Sequence, residues 1–479
     1  MNTFDYFKKI CAIPRESGNE EGMRQYLLSW AKENNIYATR DKSGNIILRK
    51  EATKGYENAP SVALQGHMDM VCVKTAESNH DFSKDPIELC IDGDILKAKD
   101  TSLGADNGIA IAMTQAVMTD PTAQHGPLEA IFTWAEETGM NGAFDLDGSL
   151  IQSKKLINLD SEEEGVIYIG CAGGIDLVGT MEAEMEEVPE GWETVEMHLT
   201  GLKGGHSGGE IHKQRLNAIS ALARMILSIE ELGHPYMINC FEGGTRRNVI
   251  PSSAFCRISF PSETKRQTMM RVMETFVLIR QENLIEEPNI EFEKHCTACG
   301  ATKAKTALSV EVSSLLTKAL FACPHGVFTM SKALNNVVET SDNLAIVKCI
   351  DGKLDLQISV RSNLDSGKTY LVNKIKTILE SFGITCTIGN GYPSWTPNPD
   401  SQLAKFCAQA YKDKTGKDPV VTAIHAGLEC GVISSKVDGM DSVSIGPDLF
   451  DVHSVNEHIS ISSTERTYEF LKYLLSIIK

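Results

Sequence analysis

No run of Lys or Arg stands out in the 479 residues, and the formal net charge is −18, from 46 basic against 64 acidic side chains. A chain so poor in clustered positive charge is not built to track a phosphate backbone, which excludes nucleic-acid binding as its main activity. The acidic balance is mostly a matter of solubility. Nor is there a segment with the roughly 20 successive apolar residues that a bilayer span requires. The start, MNTFDYFKKICAIPRESGNEEG, lacks the basic stretch, apolar core and small-residue cleavage site of a secretory leader. The 13 cysteines are scattered and form no dense framework, which fits a reducing compartment better than a disulfide scaffold. Together these absences predict a cytoplasmic protein with no membrane partner. No phosphate-binding P-loop of the G-x-x-x-x-G-K-[ST] kind occurs either. The single CxxC, Cys296-Thr-Ala-Cys299, has no second pair to complete a four-cysteine zinc site, so both are expected to be reduced thiols.

What is present is alternation. Met23 to Glu33 carries apolar residues at helical spacing, and Gly108 to Thr119 does the same. Asn45 to Leu48, Ser61 to Leu64, Leu128 to Trp134 and Lys155 to Leu159 read as strands. This pattern predicts an α/β layer architecture around a largely buried sheet, with functional residues just past the carboxyl ends of strands. After Cys171-Ala-Gly-Gly the character changes. The acidic stretch Glu182 to Glu193 is expected to be a solvated hairpin or linker, and shorter elements continue to about Cys386. Gly389-Asn-Gly-Tyr-Pro-Ser-Trp-Thr-Pro-Asn-Pro then punctuates the chain before a helix (Ser401 to Lys412), strands at Val420 to Ile424 and Ser442 to Ile445, and a last helix (Thr464 to Ile478). The simplest organisation is a catalytic domain of residues 1–173 and 394–479 interrupted by an inserted domain, 174–393. Helices near 216–231 and 265–281 are echoed near 310–320 and 370–381, so the insertion reads as two loosely similar halves.

The chemistry lies where the predicted strands stop. Val62-Ala-Leu-Gln-Gly-His67-Met-Asp69 runs a strand into an imidazole that can ligate zinc and a carboxylate that can take its other ring N–H. Asp106 sits in the Gly-rich turn Leu103-Gly-Ala-Asp106-Asn-Gly, where one carboxylate could bridge two cations about 3.5 to 4 Å apart or simply cap a helix. Phe132-Thr-Trp-Ala-Glu136-Glu137 ends an apolar strand in adjacent acids, which repel unless a cation or proton is held there. One of them, Glu137, can bind metal while Glu136 moves protons. Asp160 ends another apolar strand, and His453 lies in a polar loop before the last helix.

In combination these motifs resemble the di-zinc metallopeptidase superfamily that includes carboxypeptidase G, acetylornithine deacetylase, tripeptidase T and carnosinase, and within it the aminoacyl-histidine dipeptidase (peptidase D) branch. The resemblance covers essentially the full length. It implies a mixed-sheet α/β catalytic domain with an inserted α+β lid and dimerisation domain, and hence a homodimer. It further implies two zinc ions per chain, with Co2+ or Mn2+ as substitutes. His67 and Asp160 would hold one, Glu137 and His453 the other, and Asp106 would bridge them. Asp69 would orient His67, and Glu136 would be the general base. An Asp rather than a His at position 160 resembles the peptidase members. His206 in Gly201-Leu-Lys-Gly-Gly-His206-Ser-Gly-Gly matches a lid motif whose imidazole polarises the scissile carbonyl. Asn248 and Arg361 match substrate contacts, and His425 lies in a segment that resembles a substrate-binding loop. The implied reaction is hydrolysis of dipeptides, Xaa-His dipeptides such as β-alanyl-histidine foremost, by zinc-bound water. A deacylase, aminoacylase or tripeptidase on the same scaffold, and a metal-binding scaffold protein with an idle site, are the alternatives.

Overall fold

A computed structural model describes residues 1–296 and 303–479. Cys299 of the CxxC lies outside the described residues; Cys296 closes the Glu291–Cys296 strand. None of the described helices is long and apolar enough to cross a membrane. The chain divides into two compact units: residues 1–171, 395–423 and 428–479, and residues 172–394 with 424–427. The short segment 424–427 therefore counts with the interrupting residues.

The first unit is built on an eight-stranded mixed sheet. Its centre is three parallel neighbours, Leu128–Thr133, Val62–His67 and Lys155–Asn158, aligned so that Val62 pairs with both Leu128 and Lys155. Asp441–Ser444 continues the parallel set beside Lys155–Asn158, whereas Ile46–Lys50 runs antiparallel to Leu128–Thr133. Every residue of Val62–His67 and Leu128–Thr133 is buried, as central strands covered on both faces require. Glu129, an acid in mid-strand, is tolerated because Arg49 Nε and the amides of Gln152 and Ser153 donate to its carboxylate. The Ala105–Thr119 helix is apolar nearly all round, which suits a helix enclosed by the sheet and by Thr3–Cys11. Its first turn is irregular: Asp106 (φ −78°, ψ 108°) and Asn107 leave the helical region.

Parallel alignment puts the carboxyl ends of the three central strands at one edge, and the chain leaves that edge through His67, the 134–137 turn and Leu159–Asp160. A smaller four-stranded sheet supplies the last component. Leu449–Phe450 pairs antiparallel with His458–Ser460, and His453 stands in the connection between them.

The second unit is a nine-stranded sheet with the helices Ala218–Leu227, Lys265–Asn283, Val310–Ala322 and Asp365–Ser381, which confirms an α+β insertion in a mixed α/β chain. Its main core cluster includes Ile219, Leu222, Phe241, Phe260, Leu316, Leu356 and Leu371, and a small second cluster is formed by Ile211, Ile250 and Val338. Two details differ from the sequence reading. Met185–Glu187, in the acidic stretch, is a strand paired with Thr306–Leu308. The Gly389-Asn-Gly-Tyr segment is strand as well, because Thr385–Tyr392 runs along Gly173–Glu182 with a bulge between Ile388 and Gly391. Glycines that read as punctuation are there because strand backbones crowd: a side chain on Gly391 would sit 2.5 Å from Gly174 O.

Candidate active site

Three buried strand ends and two loops bring His67, Asp69, Asp106, Glu136, Glu137, Asp160 and His453 together in the first unit. His67 Nε2 lies 3.0 Å from Asp106 Oδ1 and 3.5 Å from Asp160 Oδ1. On the far side, His453 Nε2 lies 3.0 Å from Asp106 Oδ2 and 2.9 Å from Glu137 Oε2. Asp106 thus presents one oxygen to each imidazole. His67, Asp106 and Glu137 also offer one ligand atom each, all within 4.8 Å of one another.

Asp69 supports the cluster from behind. Its Oδ1 is 3.3 Å from His67 Nδ1 and accepts from the Glu136 amide at 3.0 Å; its Oδ2 accepts from Ser17 Oγ at 2.7 Å and from the Glu137 amide at 3.2 Å. One carboxylate therefore fixes both the imidazole and the turn that carries the paired glutamates. That turn passes through Ala135 at φ +47°, and His453 itself has φ +61°, a left-handed conformation uncommon for residues other than glycine and frequent at functional sites.

The electrostatics follow from crowding. Burial alone would lower the His67 pKa, but Asp160, Asp106 and Asp69 around it raise it well above the usual imidazole value. Burial likewise opposes charge on His453, yet Asp106 and Glu137 push it up to about 11. Burial pushes Asp160 up to about 6 and Glu137 upward as well. Glu136 is raised well above the carboxylate range by burial and by Asp160, Glu137 and Glu429, against the pull of His67. Its carboxyl makes no hydrogen bond or ion pair among the described residues, unlike those of Asp106 and Glu137.

The sequence reading named Glu429 only as part of the segment resembling a substrate-binding loop, with no role of its own; it is fully buried at the start of the Glu429–Lys436 helix. Gln65 Nε2 donates to its Oε2 at 2.5 Å and Thr133 Oγ1 at 2.6 Å, while its Oε1 has no partner among the described residues. Burial pushes its pKa up to about 7. An acid opening a short helix is an ordinary surface feature, so only its partners, 364 and 296 residues away, mark it out.

Six carboxyls, Asp69, Asp106, Glu136, Glu137, Asp160 and Glu429, thus gather around two imidazoles, and no Lys or Arg forms an ion pair with them among the described residues. Such a donor set, mixed N and O with a deficit of positive charge, fits divalent cations of the zinc type.

The remaining expected residues belong to the second unit. His206 pairs with Val249 in a two-residue ladder, and its Nδ1 accepts from the amides of Gly208 and Gly209, at 3.3 and 3.0 Å. Asn248 is exposed, and its carbonyl accepts from the Ser207 amide. Arg361 donates from Nη1 to Tyr392 Oη at 2.8 Å, and its Nε is buried without a partner among the described residues. His425 is buried, with Nε2 2.7 Å from Ser341 Oγ and Nδ1 3.3 Å from Asn363 Oδ1. Burial, with Arg361 nearby, lowers its pKa to about 3, so it is neutral. His206, Arg361 and His425 are neighbours within this unit.

Comparison with known proteins identifies the family. A family model described as peptidase family M20/M25/M40 matches residues 63–476. The Escherichia coli (strain K12) protein named cytosol non-specific dipeptidase is 41% identical over 476 residues, 99% of this chain and 97% of its own. Among solved structures, aminoacylhistidine dipeptidase from Vibrio alginolyticus matches with a TM-score of 0.89 at 36% identity, over 100% of this chain and 96% of its own. Aminopeptidase PepT from Bacillus cereus ATCC 10987, at 15% identity and a TM-score of 0.56 over 99% and 97%, shares the fold. With a site of acids and imidazoles at the strand ends and a family match over most of its length, the chain belongs to peptidase family M20/M25/M40.

Proposed function

We propose that this peptidase hydrolyses the single peptide bond of dipeptides, Xaa-His dipeptides such as β-alanyl-histidine included, at a centre for two divalent ions, zinc foremost. The observation that carries the reading is the two-sided Asp106, with His67 and Asp160 at one oxygen and His453 and Glu137 at the other. His67 and Asp160 would hold one ion, Glu137 and His453 the second, and Asp106 both. Bound there, the ions supply Lewis acidity and make water acidic enough to ionise near neutral pH.

The residues divide the remaining work. Asp69 holds His67 by its Nδ1, which leaves Nε2 to face the centre. Glu136 is the general base: its raised pKa and unengaged carboxyl suit it to take a proton from the attacking water and return it to the leaving amine. His206 is the donor to the carbonyl oxygen as it becomes an oxyanion. Because Nδ1 accepts from two glycine amides, the proton of the neutral ring is on Nε2, which is therefore the donor. Arg361 grips the substrate carboxylate, Asn248 contacts the substrate, and the carboxylates of the centre receive the α-amine. His425 has both nitrogens engaged, so it shapes the substrate loop and offers no charge to the ligand. Recognition of both ends limits the substrate to two residues. The second unit acts as a lid and as the surface of a homodimer, and the protein works in the cytosol; the name of the Escherichia coli relative supports that location.

The test is metal analysis coupled to hydrolysis of β-alanyl-histidine, glycyl-histidine, a tripeptide and an N-acetyl amino acid. Two ions per chain and cleavage of the dipeptides ahead of the others are expected. Glu136→Ala should keep both ions and lose about 10²- to 10⁴-fold in kcat. Equal turnover by that variant and the parent refutes the assignment of Glu136.

A further inference from the structure

We infer that Glu457 is a positioning residue of the metal centre, which ties the loop of His453 to the loop of Asp106 and so sets the affinity of the ion held between Glu137 and His453. The inference rests on the metal reading above. Glu457 is 2% exposed, and its two oxygens accept from four successive amides. Oε2 takes Leu103 N at 2.8 Å and Gly104 N at 2.9 Å; Oε1 takes Ala105 N at 2.8 Å and Asp106 N at 3.2 Å. These amides open a helix, where no preceding turn supplies carbonyls, and Asp106 and Asn107 depart from helical geometry just behind them. One ionised carboxylate has enough lone pairs for all four, and no uncharged side chain does.

The carbonyl side of the same turn is held independently. Arg15, also 2% exposed, donates from Nη2 to Gly104 O and from Nη1 to Asp69 O at 2.8 Å and Met68 O at 3.2 Å. Arg15 thus fixes the Asp106 turn to the His67 strand end, and Glu457 fixes it to the His453 loop. The two sides of the centre differ in what else supports them. His67 is 1% exposed, at the end of a central strand, whereas His453 is 48% exposed in an irregular loop with φ +61°. Glu457, four residues on and bonded from its amide to Ser454 O, is the buried anchor of that loop. Its loss should therefore loosen the His453 side selectively.

The experiment is zinc titration of the metal-stripped full-length protein by calorimetry with a competing chelator, in the parent, Glu457→Gln and, as a marker of the second step, His453→Ala. Glu457→Gln turns one acceptor into a donor facing two N–H groups. The expected result is a 10- to 100-fold weaker Kd for the step that His453→Ala removes, with the other step changed by less than about threefold. At saturating zinc, KM for the dipeptide should stay at the parent value, a readout that a general loss of structure would not spare. Glu457→Asp, which keeps the charge with a shorter reach, should show the same selective loss to a smaller degree, and it carries the test if the Gln variant does not fold. Unchanged affinity of the second step, or equal weakening of both, overturns the inference. A parent that binds fewer than two zinc ions instead overturns the metal reading itself, whatever the variants do.

Discussion

Asp342 gives the sharpest test of the second unit's interior. It lies in the Val338–Ile350 strand between Ser341, whose hydroxyl meets His425, and Asn343, whose amide donates to Arg247 O and Val249 O. Strand alternation sends those two side chains to one face and Asp342 to the other. There its carboxyl is 2% exposed and near Cys323, and its Oδ2 has no partner among the described residues. Burial pushes its pKa from 3.8 up to about 8, so in the folded protein it is a neutral acid at neutral pH. In the unfolded chain it ionises near pH 4. The folded state therefore binds the extra proton: stability from this group is complete below about pH 4 and is lost progressively as pH rises towards 8. About 4 units at about 1.36 kcal/mol each bound the loss at about 6 kcal/mol. Relaxation and water penetration bring the expected loss to about half of that. Asp342→Asn keeps the shape and removes the titration. Unfolding free energies of parent and variant from urea titrations, measured together from pH 4.5 to 8.5, should nearly coincide at the acid end and separate by about 3 kcal/mol in favour of the variant at pH 8.5. Parallel curves across the range would refute the claim that a buried neutral carboxyl sits there.

Two further outcomes concern the first unit. Asp69→Asn removes a charge from His67 and replaces an acceptor of the Glu136 and Glu137 amides with a donor; zinc affinity and kcat/KM should each fall about 10- to 100-fold, measured by chelator competition and initial rates. Gly66→Ala places a methyl group in overlap with Asn107 Oδ1 and Ala110 Cβ, where Asn107 now holds the His67 amide and Leu159 O. A drop of about 1 to 3 kcal/mol in thermal or urea stability is expected, with lower activity, and a neutral result would mean that the close approach is relieved by a shift of the helix.

Much of the site was legible because strands announce their own ends. Val62 to His67, Leu128 to Thr133 and Lys155 to Asn158 are short apolar runs, and acids or imidazoles directly after such runs have few structural reasons to be there. Many elements were read to within a few residues for the same reason, but the acidic stretch hid the Met185–Glu187 strand, and Gly389 and Gly391 suggested a break although they allow two strand backbones to approach closely. His425 read as part of a segment resembling a substrate-binding loop, and the fold adds that both its ring nitrogens are engaged internally. Nothing local could show that, since Ser341 and Asn363 lie 84 and 62 residues away.

The sequence by itself determined the chemical inventory and its order: which carboxylates and imidazoles end buried strands, and which family pattern they follow. Those properties depend on residue type and on spacings of a few positions, which the linear chain carries in full. Only the tertiary structure decided how the groups are arranged around one another. That Asp106 faces two imidazoles, that Glu429 is held between Gln65 and Thr133, and that Glu457 satisfies four amides of a turn 351 to 354 residues earlier are facts of convergence between distant segments. Hydrogen bonds act over about 3 Å. No spacing in the sequence encodes such a distance until the parallel strands and the returning C-terminal loop have been laid side by side.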